Sequence, residues 1–119
     1  MLQSHHRLRR SSDLERVRQE GDTWRHPLIV YLACKNEQNA SRFAFVASRR
    51  VGNAVQRNRA RRLMREAIRQ HLDDIQSGWD CILIARPPIL QAHFAEVETA
   101  VLQLLNRAKL LKVSERTDG

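Results

Sequence analysis

Three short apolar stretches of the chain have the pattern of β-strands. The first covers residues 28–34, the second covers residues 42–48 with phenylalanine at alternate positions, and the third is a continuous apolar run over residues 79–85. Strands combine these lengths with β-branched and aromatic residues. We predict an antiparallel hairpin from the first two stretches, joined by the polar loop 35–41. The third stretch is typical of a central strand covered on both faces.

Three further segments carry helix signals. Capping-box spacing is present in Ser12-Asp13-Leu14-Glu15 and predicts a helix over residues 12–20 that stops at Gly21. A turn signal at residues 51–55 leads into a helix that ends near Leu72, and apolar residues recur at helical spacing from about Phe94 onward. This order of elements predicts an α+β fold in which helices pack on a small sheet.

The middle helix has two contrasting faces. At about 100° per residue, the apolar face carries Ala60, Leu63, Met64, Ala67, Ile68 and His71, and we predict that it packs in the core. The opposite arc carries Arg57, Asn58, Arg61, Arg65 and Arg69. Like charges at these spacings repel by roughly a few tenths of a kcal/mol per pair, and only Glu66 compensates nearby. A bound polyanion would relieve the repulsion, whereas a merely solvated basic face is the alternative.

The overall charge favours the polyanion. Lys and Arg number 21 against 13 Asp and Glu, which gives a net charge of +8, and the only lysines are Lys35, Lys109 and Lys112. Arginine binds phosphate through two parallel hydrogen bonds and stacks on bases, whereas lysine supplies a hydrated point charge. We therefore predict a single RNA-binding domain over residues 1–119, with an ordered core at about 7–111 and flexible tails.

Several other classes of protein are disfavoured. No run of about 18 apolar residues could span a bilayer, and residues 1–10 lack the apolar core of a secretory signal, so we expect a cytoplasmic protein without a membrane partner. Cys34 and Cys81 lie far apart in apolar segments and are predicted to be reduced and buried. The histidines and acids show no metal-ligand or two-metal spacing, so we predict no metal site.

The aromatic residues of the predicted strands could serve the core or stack on RNA bases. Phe43 and Phe45 share one face of their strand, and we expect both to be core residues. We expect Tyr31 to be exposed, because its hydroxyl group needs a hydrogen-bond partner and water supplies one.

One long motif resembles a known family. It runs Ser48-Arg49-Arg50-Val51-Gly52-Asn53-Ala54-Val55, then Arg57-Asn58-Arg59-Ala60-Arg61-Arg62, then Arg65-Glu66, and it is similar to the protein component of bacterial ribonuclease P. The likeness covers roughly residues 7–111. It implies a two-layer α+β sandwich like the second domain of ribosomal protein S5, in the order α-β-β-(β)-α-β-α. It also implies a left-handed βαβ crossover, against the usual right-handed rule.

The resemblance also implies a function. Such a protein is the non-catalytic subunit of ribonuclease P, in a complex of one protein with one catalytic RNA. The RNA subunit removes the 5′ leader of precursor tRNA with bound Mg²⁺, and the protein binds no cofactor of its own. By motif, the leader-binding residues would be Tyr31, Arg57, Asn58, Arg61 and Arg65, together with Leu14 and Arg18, which occupy positions that are aromatic in many relatives. The residues facing the catalytic RNA would be Arg7, Arg49, Arg50, Arg59, Arg62 and Arg69.

Two other functions remain open from the residues alone. A free-standing metal-dependent nuclease would need activity without an RNA subunit and an acid such as Asp80 at its centre. An architectural ribosomal or DNA-binding protein could use the same positive charge, and it would prefer a generic duplex to a leader-bearing precursor.

Overall fold

The structure is a computed structural model that describes residues 2–112. Within them, the elements run α1 (Ser11–Glu20), β1 (Asp22–Arg25), β2 (Ile29–Lys35), β3 (Arg42–Val46), α2 (Ala54–Gln70), β4 (Trp79–Ala85) and α3 (Phe94–Arg107). Short 3-10 helices cover Ser4–His6, Leu72–Asp74 and Pro87–Gln91. The predicted order of helices and strands is confirmed, including the third strand before α2. The prediction about the C-terminal tail falls on residues outside the described part.

The sheet has the strand order β1-β2-β4-β3, so β4 is central, as its continuous apolar run predicts. The predicted hairpin between β2 and β3 is wrong. Strand β4 lies between them, antiparallel to β2 and parallel to β3. The polar loop after β2 crosses the start of β4 instead of turning tightly, because Asn36 N–H donates to the Gly78 carbonyl oxygen (2.8 Å) and Trp79 N–H to Ser41 Oγ (3.0 Å).

Strand β1 escapes prediction because its residues are mostly exposed and only Trp24 is apolar. It pairs with β2 in an antiparallel hairpin and forms one edge of the sheet. At the other edge, β3, α2 and β4 form a parallel βαβ unit. The handedness of its crossover stays a prediction from the resemblance.

The two faces of the sheet carry different helices. Helices α2 and α3 cover the larger core, which includes Phe43, Met64, Leu83 and Leu104. This half of the molecule is the predicted two-layer sandwich. Helix α1 lies over the opposite face, on a smaller cluster of Leu8, Val17, Leu32, Cys34 and Ile82. Cys34 and Cys81 are both buried and free, as predicted.

Helix α1 begins differently from its prediction. It starts at Ser11 with Arg10 as the N-cap residue and no side-chain cap, so Ser12 lies inside the first turn and the capping box is wrong. Its stop at Gly21 is confirmed. A Cβ there would lie 2.6 Å from the Val17 carbonyl oxygen and 2.8 Å from that of Ala33, so only glycine lets the helix end this close to β2.

Helix α2 ends at Gln70, just before the predicted boundary. His71 therefore caps the helix and is not a core residue of its apolar face. Its Nε2 lies 2.6 Å from Glu98 Oε2, which links the end of α2 to α3.

Candidate nucleic-acid interface

A cleft of about 500 Å³ lies beside β3, the edge strand of the sheet. Its floor is apolar and comes from β3, α1 and the N-terminal segment, whereas arginines stand at its rim. The lining residues are Arg7, Leu8, Arg9, Leu14, Phe43, Ala44, Phe45, Val46 and Arg65. Such a combination suits a ligand with apolar rings and negative charge.

The N-terminal segment forms one wall of this cleft. Leu8 N–H donates to the Phe43 carbonyl oxygen (2.9 Å), which continues the sheet by one bridge beyond β3. Arg7 Nε donates to the carbonyl oxygen of Leu2, whose side chain is buried in the larger core. The N-terminal segment is therefore held at Leu2 and at Leu8, and these two contacts keep Arg7 beside the cleft.

The start of α2 is fixed by a reciprocal cap. Gln56 N–H donates to Asn53 Oδ1, and Asn53 N–H donates to Gln56 Oε1, both at 2.9 Å. A Cβ at position 52 would lie 2.1 Å from Gln56 Oε1, so Gly52 is what allows the glutamine to fold back. Because the cap sets the first turn, it also sets the direction of the arginines that follow.

The arginines of α2 on the β3 side are held by neutral groups. Arg57 Nη1 donates to the Gly52 carbonyl oxygen (3.3 Å), and Arg61 donates to the Ala47 carbonyl oxygen (3.5 Å) and to Asn58 Oδ1. The guanidinium carbon of Arg65 lies 5.4 Å from the centroid of the Phe45 ring. These contacts orient the side chains and leave their positive charges uncompensated.

Arg65 lies at the centre of a positive cluster. Burial lowers the pKa of its guanidinium, and the neighbouring charges of Arg7, Arg61 and Arg62 lower it further. Arginine still remains a cation at neutral pH. We call Arg7, Arg61 and Arg65 the Arg65 cluster, because Arg62 lines a groove on the α3 side of the helix. Within residues 2–112, none of these four arginines forms an ion pair with an acidic side chain.

Arg69 differs from its neighbours on α2. Its Nε donates to Glu66 Oε1 (3.0 Å), and Gln70 donates to the other oxygen of the same carboxylate. The hydrogen bonds from Arg69 and Gln70 lower the pKa of Glu66 to about 2. The predicted cationic stripe therefore ends in an exposed ion pair at Arg69.

A second arginine group surrounds Asp80, whose side chain is completely buried. Arg42 donates to both carboxylate oxygens (2.8 and 2.7 Å), Asn36 Nδ2 donates to one of them (2.8 Å), and Arg16 donates to the other. The hydrogen bond to Asp80 raises the pKa of Arg42. We call these four residues the Asp80 group. It joins α1, the loop after β2, β3 and β4.

The Asp80 group bears on the nuclease alternative. Both oxygens of Asp80 accept hydrogen bonds from cations or an amide, and the side chain has no contact with solvent. A catalytic acid or metal ligand needs a free oxygen that faces substrate. Asp80 is therefore a structural residue, which removes the acid on which that alternative depended.

The prediction that Tyr31 is exposed and binds the leader is wrong. Its side chain is 1% exposed and lies in the larger core, on the face of the sheet that α2 and α3 cover. The hydroxyl group donates to Cys81 Sγ (2.9 Å), so a buried thiol replaces the water that we expected as its partner. Burial raises the pKa of Tyr31, and burial raises the pKa of Cys81 to about 12. Tyr31 cannot contact a ligand in the cleft.

The other predicted leader residues are divided. Leu14 and Arg65 line the cleft, and Arg57, Asn58 and Arg61 lie along the same helix as Arg65. Arg18 is exposed on α1 and does not line the cleft.

The residues predicted to face the catalytic RNA lie in different parts of the structure. Arg49 and Arg50 are exposed in the turn that leads into α2, and Arg59 and Arg62 line a groove on the α3 side of that helix. Arg7 lies instead at the rim of the cleft, close to Arg65. Its assignment to the catalytic RNA stays a prediction, and the bridge to Phe43 that places it beside the cleft could not be read from the sequence.

Six residues of the cleft have no predicted site role, and among them Arg9 carries a charge and Phe45 an aromatic ring that RNA could contact. Alternation places Phe45 on the same face as Phe43, but only the sheet order reveals that β3 is an edge strand. Phe43 is fully buried and Phe45 is half-buried, because the cleft opens beside the second ring.

Two other findings concern residues 2–112 only. No three His, Cys, Asp or Glu side chains there come close enough to hold a metal ion. None of the helices in this part of the chain has the length and apolar character needed to cross a membrane.

Comparison with known proteins identifies relatives along nearly the whole chain. The family model described as Ribonuclease P matches residues 2–109. A ribonuclease P protein component from Roseiflexus sp. (strain RS-1) is 40% identical over 111 residues, which cover 92% of this chain and 91% of the relative.

Two solved structures are similar as well. The ribonuclease P protein of Staphylococcus aureus superposes with a TM-score of 0.82 at 28% identity, covering 90% of this chain and 98% of that one. The protein of Thermotoga maritima gives a TM-score of 0.78 at 31% identity, covering 85% and 96%.

Proposed function

The chain belongs to the ribonuclease P protein family, and from this premise we propose how its surface engages RNA. It is a protein subunit of ribonuclease P, the ribonucleoprotein that takes part in tRNA 5′ processing. In our proposal the cleft beside β3 binds the single-stranded 5′ leader of precursor tRNA. The exposed arginines elsewhere on α2 and in the turn before it contact the catalytic RNA.

The observation that carries this proposal is the Arg65 cluster. Arg7 and Arg65 line the cleft, Arg61 lies about one helical turn from Arg65, and no acid of residues 2–112 pairs with any of the three. Assembling like charges costs free energy unless a counter-charge arrives, and the phosphates of a leader supply it. Arginine also grips a phosphate through two N–H groups at once.

The floor of the cleft complements this charge. Phe45, Leu14 and Val46 offer apolar surface, and the unstacked bases of a single strand can pack against such surface. Stacking tolerates any base, because every base has a π face. We therefore expect the leader to be held mainly through its backbone, with little sequence preference.

The protein would act by binding and positioning. Because the cleft holds a segment that mature tRNA lacks, the complex would bind precursor more tightly than product. Residues 2–112 present no ligand set for Mg²⁺, and in our proposal the RNA subunit holds that ion and performs the hydrolysis. We propose one protein per catalytic RNA.

The direct test is cleavage of precursor tRNA by the catalytic RNA at low Mg²⁺, with and without the protein. We expect strong stimulation that requires both components and that falls as salt rises. Cleavage by the protein alone, or binding of generic duplex in preference to precursor, would contradict the proposal.

A further inference from the structure

A second groove lies on the side of α2 that faces α3. It has a volume of about 400 Å³ and is lined by Arg59, Arg62, Leu63, Glu66 and Phe94. Leu63 and Phe94 pack against the larger core and remain partly exposed toward the groove. We call this feature the Phe94 groove. Its volume is at the lower end of the range for small-ligand sites, about 300–1,000 Å³.

The charge of the Phe94 groove is positive. Arg59 Nη2 donates to the Ala92 carbonyl oxygen (3.3 Å), which holds its guanidinium beside the start of α3. A guanidinium has five N–H groups, so donors remain for a ligand. Arg62 is exposed and forms no ion pair with the acids of residues 2–112. Glu66 is the acid of the groove, and Arg69 already neutralises it.

We propose that the Phe94 groove binds an unpaired nucleotide of the catalytic RNA. The base would stack on Phe94 beside Leu63, and Arg59 and Arg62 would hold the flanking phosphates. An aromatic ring next to two arginines matches the two parts of a nucleotide, its π face and its negative charge. An A-form duplex keeps its base faces stacked inside, so only an unpaired nucleotide can enter. This inference rests on the proposed function.

The position of the groove selects the catalytic RNA over the leader. Arg65 lines the cleft on the β3 side of α2, whereas the Phe94 groove lies on the α3 side. A helix with its side chains is about 10–12 Å across. A leader strand lying in the cleft would have to pass around α2 to reach Phe94. A separate RNA segment is therefore the better occupant.

The first experiment compares Phe94→Leu with Phe94→Tyr. Both variants keep an apolar side chain against the core, but only tyrosine keeps an aromatic ring. We expect Phe94→Leu to weaken binding to the catalytic RNA by about tenfold, the effect of losing one stacked base. Phe94→Tyr should bind like the unaltered protein. Equal affinities for all three would overturn the inference.

A second experiment tests the groove without touching its floor. Arg62→Ala should weaken binding to the catalytic RNA, whereas Arg25→Ala removes the same charge from an exposed position on the far edge strand β1 and should not. If both variants lost the same affinity for the catalytic RNA, the effect would come from net charge alone, which would contradict a local site. This pair decides the question even if Phe94→Leu fails to fold.

A third experiment identifies the occupant. The photoreactive residue p-benzoylphenylalanine replaces Phe94, and in a control it replaces the exposed Gln103 of α3. We expect a crosslink from position 94 to an unpaired nucleotide of the catalytic RNA. A crosslink to precursor tRNA, or to paired nucleotides only, would overturn the inference. If the unaltered protein does not bind the catalytic RNA at all, the proposed function fails; if it binds and Phe94→Leu binds equally well, only this inference fails.

Discussion

The Asp80 group and the Arg65 cluster use the same side chain in opposite ways. Arg42 and Phe45 lie in the same five-residue strand, yet Arg42 turns to a buried carboxylate while Phe45 lies beneath a guanidinium with no acidic partner in residues 2–112. In the first group, Asp80 and the nearby Asp13, whose Oδ2 lies 3.5 Å from Arg42 Nη1, match the two arginine charges inside the protein. In the second the match must come from outside. An arginine with an acidic partner inside the protein stabilises the fold, whereas an arginine without one is available to bind RNA.

The two regions should therefore respond differently to mutation. Removing one partner from a buried ion pair leaves an uncompensated charge and destabilises a protein strongly. Removing one member of a repelling cluster relieves strain in the free protein and weakens only the complex. Stability should report on the Asp80 group, and RNA affinity should report on the Arg65 cluster.

The largest expected effect is that of Asp80→Ala. It leaves Arg16 without its acidic partner and Arg42 with only Asp13, 3.5 Å away, as counter-charge. We expect the free energy of unfolding to fall by about 3–5 kcal/mol. Urea unfolding monitored by tryptophan fluorescence measures it, with the exposed Asp73→Ala as control. A loss similar to that of the control would mean that the Asp80 group does not hold α1 on the sheet.

The second prediction concerns Arg61→Ala in the Arg65 cluster. We expect precursor affinity to fall about tenfold, the value of one charge-assisted hydrogen bond, and the salt dependence to become shallower by about one released ion. The free energy of unfolding should change by less than about 0.5 kcal/mol. Arg25→Ala, which removes the same charge from an exposed position on β1, serves as control. A fall in stability without a fall in affinity would place Arg61 with the structural arginines.

The third prediction concerns Tyr31→Phe, which removes only a hydroxyl group. Its hydrogen bond to Cys81 Sγ is buried, so we expect a loss of about 1 kcal/mol of stability. Affinity for precursor should stay unchanged, because Tyr31 lies on the far side of the sheet from α1. Reduced affinity at unchanged stability would return Tyr31 to the leader site.

The smallest effect is that of the exposed pair between Arg69 and Glu66. The folded pKa of Glu66 is about 2, below its ordinary value of 4.5. A depressed pKa contributes stability above pH 4.5 that is lost as pH falls through about 2. Carboxyl NMR titration should give a Glu66 midpoint near 2, and Arg69→Ala should raise it. An unchanged midpoint in that variant would show that Arg69 does not cause the shift.

The sequence predicts what depends on neighbours along the chain. Local periodicity is enough to predict the core face of α2, and the apolar run is enough to predict that β4 is central. Capping is less reliable: the spacing at residues 12–15 predicts a box that is absent, whereas the box that Asn53 and Gln56 form was not predicted beyond a turn signal.

Features that depend on contacts between residues far apart in the chain cannot be predicted from the sequence. Whether Tyr31 points inward depends on Cys81, which lies on the neighbouring strand β4. Whether Arg42 is neutralised depends on the register that places it opposite Asp80. The same helix periodicity therefore describes all the arginines of α2 alike, although the structure pairs Arg69 and leaves Arg65 without an acid among residues 2–112.

Leader recognition by the cleft is tested most directly by binding. Complexes of the catalytic RNA with the unaltered protein, with Arg61→Ala and with Arg25→Ala are compared for their affinity toward precursor and mature tRNA over a range of salt. We expect the unaltered protein and Arg25→Ala to prefer precursor, and Arg61→Ala to lose most of this preference while still assembling with the RNA. An unchanged preference in Arg61→Ala, with the same salt dependence, would contradict leader recognition by the cleft.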